Sequence, residues 1–251
     1  MPSRFSWIAL GLGAYLAFAI SLFPAQLAYR WFAPDSFRLA GVDGTVWSGS
    51  AAIGSAGNIG FHDLEWRLQP WRLLLARVGG QLQARFADGF LTTRVETGMS
   101  QVAFSDLQGT TSLKGLQELL PLGDIEGVMS ANFSSLRIEG DWPVEANGEV
   151  RVGELAVPPL MAPGAALIDL GNFRIRFAPS DPPDLLGQFE DQGGPLEVSG
   201  VVRLSPNRSY VIEGMARPRP EATDMLRQGL EIMSAPPDAD GFRAFDLSGS
   251  L

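Results

Sequence analysis

Chemistry that cuts or ligates needs a nucleophile, a base or a set of metal ligands, and this chain of 251 residues offers few of them. It has no cysteine and one histidine, His62, so disulfides, thiolate zinc sites and thiol nucleophiles are excluded and a single imidazole remains. Ser48 stands in Val46-Trp47-Ser48-Gly49-Ser50, which lacks the first glycine of the G-x-S-x-G nucleophile elbow. A triad of Ser48, His62 and Asp63 can be drawn, but neighbours on a strand point to opposite faces, and a triad is recognised by a geometry that the sequence does not supply. Asp181 and Asp184 flank two prolines in a loop, whereas paired catalytic carboxylates are held rigidly about 5 to 9 Å apart. Gly11-Leu12-Gly13 has no strand before it and is not a dinucleotide fingerprint. No catalytic, cofactor-binding or metal site is expected, and no cofactor.

The remaining oddity is aromatic. Trp47, Trp66 and Trp71 fall within 25 residues, either as a ligand platform or as the fill of a β core. Leu64-Glu65-Trp66-Arg67-Leu68 alternates, which favours core. In Gly41-Val42-Asp43-Gly44-Thr45-Val46-Trp47-Ser48-Gly49-Ser50-Ala51, Asp43-Gly44 reads as a tight turn, Thr45 to Trp47 as a short β run and Ser48 to Ser50 as a second bend. Trp47 is expected to be mostly buried near Trp66.

The elements around these residues read as mainly β. Gln81 to Phe86 alternates, Asp88-Gly89 is a hairpin signal and Phe90 to Thr97 is the return strand. Further strands are expected at Ala131 to Glu139, at Val144 to Ala146 and Glu149 to Leu155 on either side of an Asn147-Gly148 turn, at Phe173 to Phe177, Leu196 to Leu204, Ser209 to Met215 and Phe242 to Leu251. Helical text is confined to Trp71 to Ala76, Leu116 to Leu120 and Pro220 to Met233. The expected fold is an antiparallel curved sheet, sandwich or half-barrel with short helical inserts. A proline- and glycine-rich interval, 157–194, is a soft boundary between two lobes.

Ahead of this region, no charged residue occurs between Arg4 and Arg30, a run of 25 positions. As a helix it would measure about 37 Å, enough for a hydrocarbon core of about 30 Å. The expected organisation is a cytoplasmic tail at 1–4, a transmembrane anchor at 5–29 and a periplasmic β domain at 30–251, with Tyr29, Trp31 and Phe32 as an aromatic belt. Formal net charge is -9, and 18 Arg with one Lys form no basic stripe, so nucleic acid is not an expected partner.

The order of features resembles the protein N family of the bacterial type II secretion system. The motifs that carry it are "GVDGTVWSGSA", "LEWRLQPWRLLLARVGGQLQA" at Leu64 to Ala84 and "GGPLEVSGVVRLSPNRSYVIEGMARPRPEATDMLRQGLEIMSAPPDADGFRAFDLSGSL" at the C-terminus. Their shared positions are Gly44, Val46, Trp47, Gly49, Trp66, Pro70, Trp71, Gly194, Pro195, Leu196, Gly200 and Tyr210. The resemblance implies a non-enzymatic, single-pass inner-membrane protein whose periplasmic domain contacts other type II secretion proteins. It also allows a structural relation to the AsmA-like envelope proteins, whose curved sheets are associated with lipids. The alternative function is therefore an apolar groove for acyl chains, lined by Leu82, Phe86, Phe173, Ile175 and Phe177.

Overall fold

The computed structural model describes residues 4–33, 37–56, 59–75, 78–86, 88–98, 101–116, 124–140, 142–159, 166–179 and 184–250. The chain begins with helices α1 (Arg4–Ser21) and α2 (Ala25–Phe32). Strands follow as β1 (Phe37–Gly44), β2 (Ser48–Ala56), β3 (Ile59–Leu68), β4 (Val78–Phe86), β5 (Gly89–Thr97), β6 (Gln101–Ser112) and β7 (Glu126–Glu139). They continue as β8 (Trp142–Val157), β9 (Ile168–Phe177), β10 (Leu185–Asp191), β11 (Leu196–Leu204), β12 (Ser209–Pro218) and, after helix α3 (Asp224–Met233), β13 (Arg243–Ser250). All thirteen belong to one sheet whose spatial order is the chain order. Each strand pairs antiparallel with the next, and the ends do not meet.

The sandwich alternative is thereby corrected. Consecutive hairpins without a crossover keep adding to the same edge, so no second sheet forms among the described residues. The interval 157–194 contains β9 and β10, and the ladder runs through it from β8 to β11. At Asn147-Gly148 there is no turn, because β8 runs straight through as one strand. Gly148 is there for close approach: a Cβ would lie 2.2 Å from the Asn132 carbonyl oxygen. The helical text at Trp71 to Ala76 is a 3-10 turn, Pro70–Leu75, and that at Pro220 to Met233 is α3. Leu116 to Leu120 and Asp181 fall outside the described residues, apart from Leu116 itself, which ends a 3-10 turn.

The expected continuous span at 5–29 also needs correction. Helix α1 ends at Ser21, and Pro24, extended at φ −64° and ψ 135°, separates it from α2. Eighteen residues give about 27 Å. Among the described residues no helix is long and apolar enough to cross a membrane. Of the expected aromatic belt, Trp31 and Phe32 are exposed, whereas Tyr29 turns to the sheet.

Packing in the second half of the sheet is a cross-strand code. The register places Leu107, Phe133, Gly148, Phe177, Gly187, Val202, Ile212 and Leu247 in one row across β6 to β13. The neighbouring row runs Ala131, Val150, Ile175, Phe189, Gly200, Gly214 and Phe245. Large rings alternate with glycines, so each ring lies across the bare backbone of the next strand. A Cβ at Gly200 would stand 2.5 Å from the Phe189 ring and one at Gly187 2.7 Å from Phe177. The device gives a single layer some core without a second sheet. Where an extra residue would flip this alternation, an acid in the left-handed region absorbs it: Asp63 at φ 48°, Asp106 at 50° and Glu154 at 52°, each beside a register shift.

Burial remains shallow. The accessible surface is 16057 Å², against about 10,800 Å² for a compact 27.0 kDa monomer on the usual scaling with mass. Among the described residues three local clusters stand in place of one core: Ala25, Val42 and Ala51; Phe133, Ala146 and Leu185; and Leu196, Val198, Ala216, Ala222 and Leu226.

Candidate functional site

The reactive constellation does not assemble. Ser48 pairs with Arg67, and His62 pairs with Ile53; five steps along β3 therefore separate the two, about 16 Å at strand rise. Among the described residues no group of three or more histidines and carboxylates is placed to hold a metal ion.

The residues around Trp47 do something mechanical. Thr45 to Trp47 form the turn between β1 and β2, while Asp43 and Gly44 end β1 and Ser48 to Ser50 begin β2. The expected turn and β run thus exchange places. The turn closes with Thr45 N–H donating to the Ser48 carbonyl at 2.9 Å. Its outer groups reach the end of α1: the Trp47 indole N–H donates to the Ile20 carbonyl at 2.8 Å, and Val46 N–H to the Phe23 carbonyl at 3.0 Å. Pro24 bridges Thr45. The last carbonyls of a helix have no α-helical donor; here the turn supplies one to Ile20 in the last turn of α1 and another to Phe23 in the link that follows. Its inner groups hold β3, because Trp66 Nε1–H donates to the Val46 carbonyl at 3.0 Å and Leu68 N–H to the Trp47 carbonyl at 2.6 Å.

Of Trp47, Trp66 and Trp71, it is Trp66 that serves the core, packed against Ala25, Val42 and Ala51. Its ring crosses Gly49, where a Cβ would lie 2.5 Å away. Trp47 is half-buried and faces the helix, because its position is in the turn and not in a strand. Trp71 is 57% exposed, since Pro70 starts the 3-10 turn outside the ladder; Arg72 stacks over it at 5.2 Å and pairs with Glu96.

The C-terminal motif is built around an ion pair. Asp191 ends β10, and one of its oxygens accepts the Val198 N–H at 2.8 Å while the other accepts the Gly193 N–H at 3.2 Å and Arg219 at 2.7 Å. Arg219 also donates to the carbonyls of Gly194 and Leu196, at 2.8 and 2.7 Å. Gly194, Pro195 and Leu196 are thereby tied to the segment that leads into α3. Burial pushes the Asp191 carboxyl up, but the Val198 N–H, the Arg219 guanidinium and the Gly193 N–H outweigh it and hold it below the ordinary aspartate value. Gly200 seats Phe189, and Gly249 seats the Tyr210 ring.

Beneath α3 lies an apolar cavity of about 540 Å³. Phe173, Phe189, Leu196 and Val198 form its floor; Met225, Leu226, Leu230 and Met233 form its roof. Among the described residues, Gln228 is the one polar side chain in its lining. Thr223 caps α3 by accepting the Leu226 N–H, and Ala222 and Leu226 pack against Leu196, Val198 and Ala216 of the sheet. Of the five residues expected to line a groove, Phe173 enters this cavity. Phe177 packs on Phe133 with centroids 6.0 Å apart, and Ile175 pairs with Val150 and Phe189. Leu82 and Phe86 lie on β4, five steps away along the strand order, and do not border this cavity.

Sequence reasoning set Tyr29 in an aromatic belt and missed its bonds to β1, and it missed Asp191, Arg219 and the cavity roof. Arg219 carried a signal, standing between Pro218 and Pro220 where the backbone is stiff. Tyr29 carried none, since its role depends on where α2 docks.

The sequence profile of the type II secretion system protein N family matches residues 36–246, from just before β1 to within β13. Type II secretion system protein N of Aeromonas hydrophila is 27% identical over 249 residues, covering 95% of this chain and 94% of its own length. No solved structure matches the chain. The matched residues thus take in the Trp47 turn, the Asp191–Arg219 tie and the floor and roof of the cavity, and the chain belongs to the type II secretion system protein N family.

Proposed function

We propose that the protein is a non-catalytic accessory component of type II secretion, held by α1 at the inner membrane with its sheet on the periplasmic side, where the sheet contacts other secretion components. The observation that carries this reading is the join between α1 and the family-matched sheet. Leu12, Tyr15, Phe18 and Ile20 are all more than half exposed, which is costly in water and favourable in lipid. The helix that bears them is tied to the sheet through Ile20, Phe23 and Pro24. A helix a few ångströms shorter than the hydrocarbon core is accommodated by local thinning of the bilayer. In this reading 1–4 are the cytoplasmic tail and the sheet is the working domain.

In-cell photocrosslinking from Arg85 and Arg176, both exposed on the sheet, tests the contact; secretion subunits are the expected catch, and their absence from both positions refutes it. A reporter active only in the periplasm, fused after Leu251, is expected to be active.

The cavity under α3 supports a second reading, in which the sheet holds an acyl chain. Its volume and near-absence of polar lining suit an apolar ligand. Phospholipid that co-purifies with the full chain and is lost on Leu230→Arg would favour it; equal lipid in both removes it.

A further inference from the structure

The two ends of the sheet are finished differently. At β1, the Tyr29 hydroxyl accepts the Leu39 N–H at 2.9 Å and donates to the Phe37 carbonyl at 3.3 Å, so α2 occupies that edge. At β13, the start of the strand is covered by the chain that follows α3: Ala235 N–H donates to the Ala244 carbonyl at 2.8 Å and Asp238 N–H to the Phe242 carbonyl at 2.8 Å. These bonds fix which residues direct their main chain away from β12. In an antiparallel strand that direction alternates, so Asp246 and Ser248 direct N–H and C=O outward as Ala244 does. Among the described residues nothing bonds those outward groups.

The flanks of this free stretch carry information. On one face Phe245 and Leu247 continue the apolar lining of the cavity, and Leu247 is 43% exposed. On the other face Asp246 stands directly opposite Glu213. Like charges in a direct cross-strand pair destabilise a sheet, and among the described residues neither has an ion-pair partner. A cationic side chain beside them would relieve that repulsion.

We propose that the edge of β13 at Asp246 to Ser248 accepts an extended segment of a partner protein whose residues alternate between apolar and basic. Its main chain pairs with Asp246 and Ser248. Its apolar side chains cover Leu247, and its basic ones sit beside Asp246 and Glu213. Strand addition draws affinity from main-chain bonds and selectivity from alternate side chains. A second copy of this chain is disfavoured as occupant, because pairing β13 with itself brings two Asp246–Glu213 pairs together on molecules of net charge -9. The inference rests on the reading of the sheet as a contact surface for other components, but it does not depend on membrane placement.

The test uses the purified full chain in neutral detergent and three labelled nine-residue probes: an alternating valine–arginine peptide, its valine–glutamate counterpart, and the arginine peptide with alternate backbone nitrogens methylated. Fluorescence anisotropy is expected to show the arginine peptide binding at least tenfold tighter than either other probe, with slowed exchange of the Asp246 and Ser248 amides. Ser248→Pro removes an outward N–H without changing charge and is expected to lower affinity at least tenfold. Asp246→Lys is expected to reverse the preference toward the glutamate peptide, and a second variant guards against a folding defect in the first. Equal arginine-peptide binding by wild type and a folded Ser248→Pro, or unprotected Asp246 and Ser248 amides in the complex, overturns the proposal. Concentration-dependent dimerisation that Ser248→Pro abolishes overturns it in favour of a second copy. Failure here with secretion subunits still captured from Arg85 would remove the edge and leave the proposed function standing.

Discussion

The Asp191–Arg219 tie offers the sharpest quantitative test. The Asp191 side chain is 9% exposed and that of Arg219 28%. Arg219→Ala leaves the carboxylate with two backbone donors and strips the carbonyls of Gly194 and Leu196 of their charged partner. Breaking a buried pair from one side costs about 3 to 5 kcal/mol; water reaching the partly exposed site reduces the expected loss to about 2 to 3 kcal/mol. The carboxyl is held below its ordinary value, so its stabilisation is complete above the unfolded value of about 3.9 and fades as pH falls through the lowered folded value. Asp191→Asn removes this dependence. Urea midpoints of the full chain in neutral detergent, followed by tryptophan fluorescence from pH 6 to pH 2.5, measure the difference. The gap between wild type and Asp191→Asn should be widest above about pH 4 and narrow below it. A gap that stays constant across the range would refute the assignment of an ionised, stabilising Asp191.

Gly200→Ala puts a methyl 2.3 Å from the Glu213 carbonyl oxygen and 2.5 Å from Phe189; a loss of about 1 to 3 kcal/mol in the same unfolding assay is expected, whereas Gly60→Ala, with open space around it, should stay within about 0.5 kcal/mol. Trp47→Phe keeps an aromatic ring but loses the bond to Ile20. It should cost about 1 kcal/mol and speed amide exchange at Val46 and Phe23, while unchanged exchange would mean that the indole does not hold the helix. The double variant Ser48→Ala and His62→Ala is expected to leave secretion unchanged, and a loss of export from a normally folded variant would reopen the question of chemistry at those residues.

Much of the β character was legible because alternation at Gln81 to Phe86 and Phe173 to Phe177 reports a strand with one buried face. What stayed illegible was set by partners distant in sequence. Gly148 looks like a turn residue next to Asn147, but it is glycine because Phe133 lies across it. Thr45 to Trp47 have strand-like composition, but Gly44 at φ 86° has already reversed the chain. The continuous apolar run before Arg30 hid a break, since Pro24 stops the helix where the sheet begins to hold it. Asp63, Asp106 and Glu154 read as ordinary polar strand positions, and nothing in their local pattern reports the positive φ that keeps the apolar face in register.

Strand order that equals chain order also governs how the molecule can come into being. Each new strand finds its first partner already made immediately upstream, so no strand waits for a segment not yet available. Each closure joins strands adjacent in sequence, the long one from Pro218 to Arg243 being shortened by α3, so the entropy lost at each step stays modest. Growth can start at the Trp47 turn, where the helix, β1 and β3 are tied together, and advance one hairpin at a time in the direction of synthesis. The β13 edge is completed last, so it becomes available to a partner only after the sheet behind it exists.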